Sequence, residues 1–489
     1  MNRWQKIVGD ERGVALVMAM MVLLILTGLM LAFLSVSAFE PQISRNHFDS
    51  VRARHLAEAG IEAGFNQLIA VDWTATLTGA TAAAPWRTVA GLNNATLPGL
   101  ASSYGTFSVT VRNDFQTAPT SDAVVTGQVV DGGGAATDTN GIIIVRSTGT
   151  INGASKTIEV VMKRLSLPPF AGAVNIPGNQ ADTYLNNDTT NWEIDGRSYS
   201  CSANCDNIAN WTAAAGNPAK YGIATKAGVQ TNNSTRFEVG AENAANTATK
   251  LGNIKGKSEV DGTFTTGLNT IQAVGTSTPA DAGADASTPG LNPSVMASFL
   301  SKLAAFPGTT VLQSTQSCPM VITGGSNPGG SLSWSDGTLT NAPTLTNGCG
   351  VNKTLDLGSR TDPKLVYFRG DPDPTSLFTG LKVTAGSGIK GAGILVIEDG
   401  DFKNYGALEW DGIIIVNGSF VSSAFMSGSN TRVRGAVSAL ETEPGEAAGY
   451  FDFFMEGALN AFSTRFSQQN LDMVQQMRSL HSLSSWREI

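Results

Sequence analysis

Charge, cysteine and histidine are scarce in this sequence. Of 489 residues only 15% are charged, and 40 Asp and Glu outnumber 32 Lys and Arg, for a net charge of −8. Phosphate recognition needs clustered Lys and Arg; no basic block occurs, so nucleic acid is excluded as a partner. GxSxG and HExxH motifs are lacking, and the three histidines, His47, His55 and His481, fall in segments that read as terminal helices. Gly252-Asn-Ile-Lys-Gly-Lys-Ser258 imitates a phosphate loop but is one residue short. Asp371-Pro-Asp373 lacks the twelve-residue ligand spacing of a calcium loop and reads as a turn. No cofactor, metal site or enzymatic activity is expected.

From Val14 to Phe39 charge is missing altogether. These 26 residues, rich in Leu, Met, Val and Ala, exceed the roughly 20 that cross a bilayer as a helix. The 13 residues before them carry Arg3, Lys6 and Arg12 against Asp10 and Glu11, so the N-terminus is expected on the cytoplasmic side and the bulk of the chain outside. A cleaved secretory signal fits poorly: its apolar core spans only roughly 7 to 15 residues, and Ala38-Phe39-Glu40-Pro41 is a poor cleavage site. A basic residue and a glycine instead abut the apolar run on its upstream side, which is what a cut before the hydrophobic segment needs. A plain one-pass anchor and stalk explains the apolar run but not this junction.

Arg12-Gly13-Val14-Ala15-Leu16-Val17, followed by Asn46-His47-Phe48-Asp49 and Ala57-Glu58-Ala59-Gly60-Ile61-Glu62, resembles the PilX-like N-terminal domain of type IV minor pilins. The resemblance covers about residues 12 to 64. It implies a leader of residues 1–13 removed after Gly13 by a prepilin peptidase, methylation of Val14, and an assembly helix over 14–39 in which Leu16, Met18, Leu24, Leu29 and Phe33 pack among neighbouring subunits. It also implies other pilin or minor pilin subunits, an inner-membrane assembly platform and a tip adhesin as partners, and passage from the inner membrane to an extracellular fibre. Pilins carry Glu five residues after the cut, whereas this chain has Met18. That departure points to a priming or tip subunit, or to a type II secretion minor pseudopilin that also lacks the Glu.

Beyond the apolar run, Pro41 is expected to kink or interrupt the helix, which resumes to about Ala70. Val51, Leu56, Ala59, Ala63 and Leu68 form its apolar stripe, opposite Arg52, Arg54, Glu58 and Glu62. Residues 72–103 read as a loop. Alternation over Thr106–Arg112 and β-branched runs at Ala123–Val130 and Gly141–Val145 read as strands, and Ser147–Lys163 as a hairpin turning at Asn152-Gly153. A pilin-like domain over 40–165 follows, bounded by Pro168-Pro169.

A β-rich exported domain is expected over 170–440. Trp192–Ile194 and Arg236–Val239 are β-like pieces, and Pro279–Pro293 reads as an exposed loop before a helix at Pro293–Phe306. From 365 to 440 the pattern repeats: Gly393-Ile-Leu-Val-Ile397, Gly412-Ile-Ile-Ile-Val416 and Val433-Arg-Gly-Ala-Val437 place glycines 19 and 23 residues apart, close to one coil of a parallel β-helix. An antiparallel sandwich is the rival. Residues 445–489 carry Phe451, Phe454, Leu459, Phe462, Phe466, Leu471, Val474 and Met477 at spacings of three to five, and one or two amphipathic helices closing the open end of the solenoid or docking on the body are expected. The fold class is therefore α+β: a long N-terminal helix with an antiparallel sheet, then a large β-helix-like domain and C-terminal helices.

All four cysteines lie beyond residue 200, far from the anchor, and outside the membrane an even number favours disulfides. Cys201 with Cys205 and Cys318 with Cys349 is one of three pairings. The CxxxC spacing lacks the paired CxxC of a zinc site. If the repeats acted on or bound polysaccharide, Glu398, Asp399, Asp401, Glu409 and Asp411 would be the acids; solvated turn residues are the simpler reading.

Overall fold

The computed structural model describes residues 11–115, 131–176, 181–187, 191–213, 220–225, 237–239, 251–258, 260–267, 270–272, 293–306, 309, 311–313, 320–323, 334–335, 338–339, 344–347, 352–354, 356–370, 381–383, 388–398, 400–417, 419–424, 430–440, 449–455 and 461–489. The chain divides into two units, residues 1–163 with 483–489, and residues 164–482.

In the smaller unit, helix α1 runs unbroken over Glu11–Ile69, about 90 Å at 1.5 Å per residue. Pro41 lies inside it, so the expected interruption does not occur. One proline removes a single backbone hydrogen bond, and strong helix formers on both sides carry the helix past it. The buried stripe also differs from the expected one. Val51 is exposed and Ala59 and Ala63 are half-buried, while Ala53, Leu56, Ala57, Ile61, Phe65 and Leu68 are buried. Glycine decides the difference: a Cβ on Gly60 would strike Ser147 and Phe107, and one on Gly64 would meet Val109 at 2.9 Å. The helix therefore rests on the sheet through its glycines, and the contact centres on them.

That sheet is β1 (Arg87–Thr88), β2 (Thr106–Asn113), β3 (Ile142–Ile151), β4 (Ala154–Arg164) and the C-terminal strand His481–Glu488, in that spatial order. β1, β2, β3 and β4 pair antiparallel. Alternation works as the sequence implies: Phe107, Val109 and Val111 face the core and Thr106, Ser108 and Thr110 are half-buried. The β3–β4 turn uses Asn152 and Gly153, both at positive φ, and Asn152 donates to the buried Asp49 carboxylate at 3.2 Å, tying the hairpin tip to α1. Residues 72–103 are not wholly irregular, holding the short helix Trp73–Leu77 and β1. The strand expected at Ala123–Val130 lies outside the described residues.

The larger unit is built from parallel coils. The first passes through Gly172–Ile176, Ala181–Asn187 and Trp192–Asp195, the second through Tyr221–Thr225, Phe237–Val239 and Ile254–Lys257, each strand parallel to its counterpart. Gly252–Ser258 thus contributes a sheet strand and not a phosphate loop. After the helix Pro293–Ala304, strand pairs follow at 311–323, 364–383, 388–404, 407–424 and 431–455; each pair puts one member in each of two sheets, parallel to its predecessor. Ile413, Ile414, Ile415 and Val416 are all fully buried, as unbroken apolar runs in parallel sheets require.

Spatial order departs from chain order. The first coil lies between the second and the last, with Val174 paired to Val437, Tyr450 to Asp182 and Trp192 to Phe462. The repeated glycines form a column in register, Gly393 beside Gly412 beside Gly435. Their φ values of 122°, 136° and 150° suit glycine, and a Cβ on any would collide with the carbonyl oxygen of the preceding rung, that of Lys364, Gly393 or Gly412.

The 445–489 segment is mostly strand. Gly449–Met455 and Phe462–Arg465 continue the parallel ladders and His481–Glu488 joins the small sheet, leaving, among the described residues, one α-helix, Gln468–Gln475, and a 3-10 turn at Arg478–Leu480. Pairing with a waiting neighbour strand overrides the three-to-five spacing of the aromatics. Of the two expected arrangements the helix takes the second, docking on the body, and among the described residues antiparallel strands at Phe264–Thr266 and at Thr344–Asn347 with Asn352–Thr354 end two of the ladders. The helix is capped by Ser467 and lies over the glycine column, where Val474 comes within 3.0 Å of the Cβ position of Gly412.

Candidate functional site

Among the described residues, nothing packs against the first half of α1. Every described side chain from Val14 to Phe39 is exposed, including Leu16, Met18, Leu24 at 72%, Leu29 and Phe33 at 70%, although all are large and apolar. Residues this apolar on every face of a helix belong in lipid or against other helices. By length and composition this helix can cross a membrane. Thr27 donates to the Leu23 carbonyl at 2.8 Å and Ser35 to that of Ala32 at 2.8 Å, so both hydroxyls are satisfied within the helix, as an apolar environment requires. Gly13 lies in the first turn of the helix, directly before the exposed Val14.

The exposed face of the second half is polar. Arg54 donates to Glu58 at 3.0 Å, and His55 Nδ1 lies 3.0 Å from the same carboxylate. Burial opposes ionisation of Glu58, but the hydrogen bonds from His55 and Arg54 outweigh it and hold its pKa below the usual value. Position 18, where pilins carry a carboxylate, presents only the thioether of Met18 to the surroundings.

Cys201 and Cys205 are joined in a disulfide with Cα atoms 5.7 Å apart. Cys318 and Cys349 lie outside the described residues, as do Asp371, Asp373 and Asp399. Of the acids on the coils, Glu398, Glu409 and Asp411 lie in strands and are paired there, whereas Asp401 sits in the turn before Phe402–Asn404. Glu398 accepts from Tyr367 at 2.6 Å and from Arg369 at 2.7 Å, and Asp401 lies 3.3 Å from Lys403. Glu409 and Asp411, both buried, sit in register beside Arg432 and Arg434 on the next rung and accept from them. Buried Lys390, opposite Glu409 on the preceding rung, bonds Asp206 at 2.7 Å.

The disulfide loop covers this charged row. The Cys205 carbonyl accepts from Trp211 at 2.8 Å, and the Trp211 ring stacks under Arg360 and Arg434. Glu398, Asp401, Glu409 and Asp411 are each engaged by a cation, and the pairs between neighbouring rungs hold those rungs in register. Sequence reasoning missed it because the partners lie about 20 and about 200 residues apart; the signal present was the alternation of Lys390, Glu409 and Arg432 at repeat spacing.

Residues 12–62 match the family model described as PilX N-terminal. No curated protein matches. Among solved structures, the competence-associated pilin ComZ from Thermus thermophilus aligns over 90% of this chain and 97% of its own at 13% identity, with a TM-score of 0.25, a value that carries no weight for fold or function. The family match falls on the helix whose first half is exposed and apolar and whose second half packs on the small sheet. Over this N-terminal segment the chain is similar to the PilX N-terminal family of type IV pilins.

Proposed function

We propose that this chain is a minor pilin-like structural subunit of a type IV pilus, processed by prepilin peptidase after Gly13 and methylated on Val14. The observation that carries the reading is the divided helix: the half from Val14 to Phe39 is apolar on every side and exposed among the described residues, while the half beyond Asp49 is fixed to its own sheet. In a fibre, the first half packs against the corresponding helices of other subunits, with Leu16, Leu24, Leu29 and Phe33 as contacts. Before assembly it spans the inner membrane with a cytoplasmic N-terminus, engaged by the assembly platform. The parallel coils are a β-helix carried outside the membrane. Such a unit is bulky for repeated use along a shaft, which together with Met18 favours a priming or tip position, next to a tip adhesin where one exists. The role is structural, through assembly and not catalysis.

Intact-mass and N-terminal peptide analysis of the protein from membranes and from sheared fibres tests this. The expected result is a chain beginning at methylated Val14 in the fibre fraction. A chain retaining Met1 and confined to membranes overturns it and leaves a tethered surface protein.

A further inference from the structure

The larger unit interrupts the smaller one in sequence. Residues 164–482 separate β4 from the strand that completes its sheet. The route through the coils has a particular consequence. The chain starts in the middle of the stack, moves outward through Tyr221–Lys257 to Ile271–Gln272, passes to the other side at Val311–Thr323, and works back until the last coil docks against the first. Closure happens only there.

The exit from the last coil is then fastened to the start of the unit. The amide of Phe466 donates to the Asp195 carbonyl at 2.8 Å, and that of Leu165 to the Leu480 carbonyl at 2.9 Å. Gln475 holds the same segment twice, accepting from the Leu167 amide at 2.8 Å and donating to the Leu165 carbonyl at 3.0 Å. His481, where the C-terminal strand begins, thus follows a segment held at Phe466 by the first coil and at Gln475 and Leu480 by residues 165–167.

What that strand brings to the small sheet is substantial. The amide of Ile489 donates to the Thr157 carbonyl, Lys156 pairs with Glu488, and Arg487 donates at 2.8 Å to Glu159, whose side chain is 2% exposed. Leu483 packs on the core beneath α1. Without it β4 is an open edge with a buried carboxylate short of one partner.

We infer that the C-terminal strand is a folding checkpoint: it completes the small sheet only after the last coil has docked on the first, so the sheet under α1 reports that the whole larger unit is folded. With residues 164–482 uncoiled, the two sheet segments are ends of a long random loop, and the strand's effective concentration at β4 falls on the order of 10³-fold relative to a tight hairpin. The consequence for assembly rests on the pilin reading: subunits with a misfolded outer unit carry an unfinished sheet and are barred from the fibre. The coupling itself does not depend on that reading.

Native-state hydrogen exchange on the full chain in detergent, over increasing urea, tests the coupling without any fibre. Amides of the C-terminal strand and of 431–439 are expected to lose protection at the same urea concentration, while those of β2 and β3 persist to higher urea. Gly435→Val, which drives a side chain into the preceding rung, is expected to speed exchange of both segments by the same factor, about tenfold or more. A C-terminal strand that stays protected at urea concentrations where 431–439 have exchanged overturns the inference. If Gly435→Val does not fold, the wild-type titration alone decides. Prepilin processing and fibre incorporation are scored separately, so failure of the pilin reading leaves this result intact.

Discussion

The two halves of α1 share one helix and one period, yet they meet opposite surroundings. Phe33 is 70% exposed and Phe65 only 4%. The difference lies in what each half offers its neighbours. From Val14 to Phe39 apolar residues ring the helix, so no single face suits one sheet and the whole circumference needs apolar company. Beyond Asp49 charged residues occupy one side, and the other carries Gly60 and Gly64, which let β2 and β3 approach closely. A helix surface that is hydrophobic all round is built for a bundle or a bilayer; one that is smooth on one side is built for a specific partner.

The sharpest way to break this comparison is to truncate the same residue type in each half. Phe65→Ala is expected to destabilise the small unit by about 4 kcal/mol, read from urea unfolding, because it opens a cavity in the core. Gly60→Leu is expected to cost about 3 kcal/mol by overpacking against Ser147 and Phe107, read the same way.

The strand that finishes this sheet adds a pH-dependent effect. Burial, with the Arg164 charge nearby, pushes the pKa of His481 down to about 4, despite the Met477 carbonyl 2.9 Å from its Nδ1. A histidine depressed in the folded state leaves stability intact above its unfolded value and removes it as pH falls towards about 4. Between pH 7 and pH 5 the wild type is therefore expected to lose about 2 kcal/mol more than His481→Gln, measured by urea unfolding at each pH. Asp114 works the other way: burial, with Asp131 and Asp138 adding like charge, raises its pKa to about 6, so acidification relieves strain there and the His481 effect is read from the variant difference.

The smallest expected stability effect completes the comparison. Phe33→Ala should change unfolding of the small unit by less than about 0.5 kcal/mol, since Phe33 is exposed among the described residues. Its incorporation into fibres is nevertheless expected to fall, scored by immunoblot of sheared material. Equal losses of stability in Phe33→Ala and Phe65→Ala would erase the distinction between the halves.

Much of the small unit was legible because its contacts are local. Alternation in Thr106–Arg112 and the Asn152-Gly153 turn define a hairpin sheet by neighbours in sequence, and both occur as read. The stripe on α1 was misread because Gly60 and Gly64 count as gaps in a hydrophobic pattern, yet gaps are what close helix–sheet packing uses. In the larger unit the 19- and 23-residue glycine spacing pointed to stacked rungs, and the column appears in register. The C-terminal segment was read as helical because aromatics at mixed spacing do not announce a strand when its neighbour lies hundreds of residues away.

The sequence by itself determined the uncharged run with its Arg12-Gly13 junction, the hairpin sheet and the glycine repeat, since each depends on residues close together or on a fixed period. Only the tertiary structure decided the order of the coils, the burial of Glu409 and Asp411 among cations, and the return of His481–Glu488 to the small sheet. Those depend on which distant surfaces meet when the chain closes on itself, and nothing local in the residues encodes a meeting between coil one and the last.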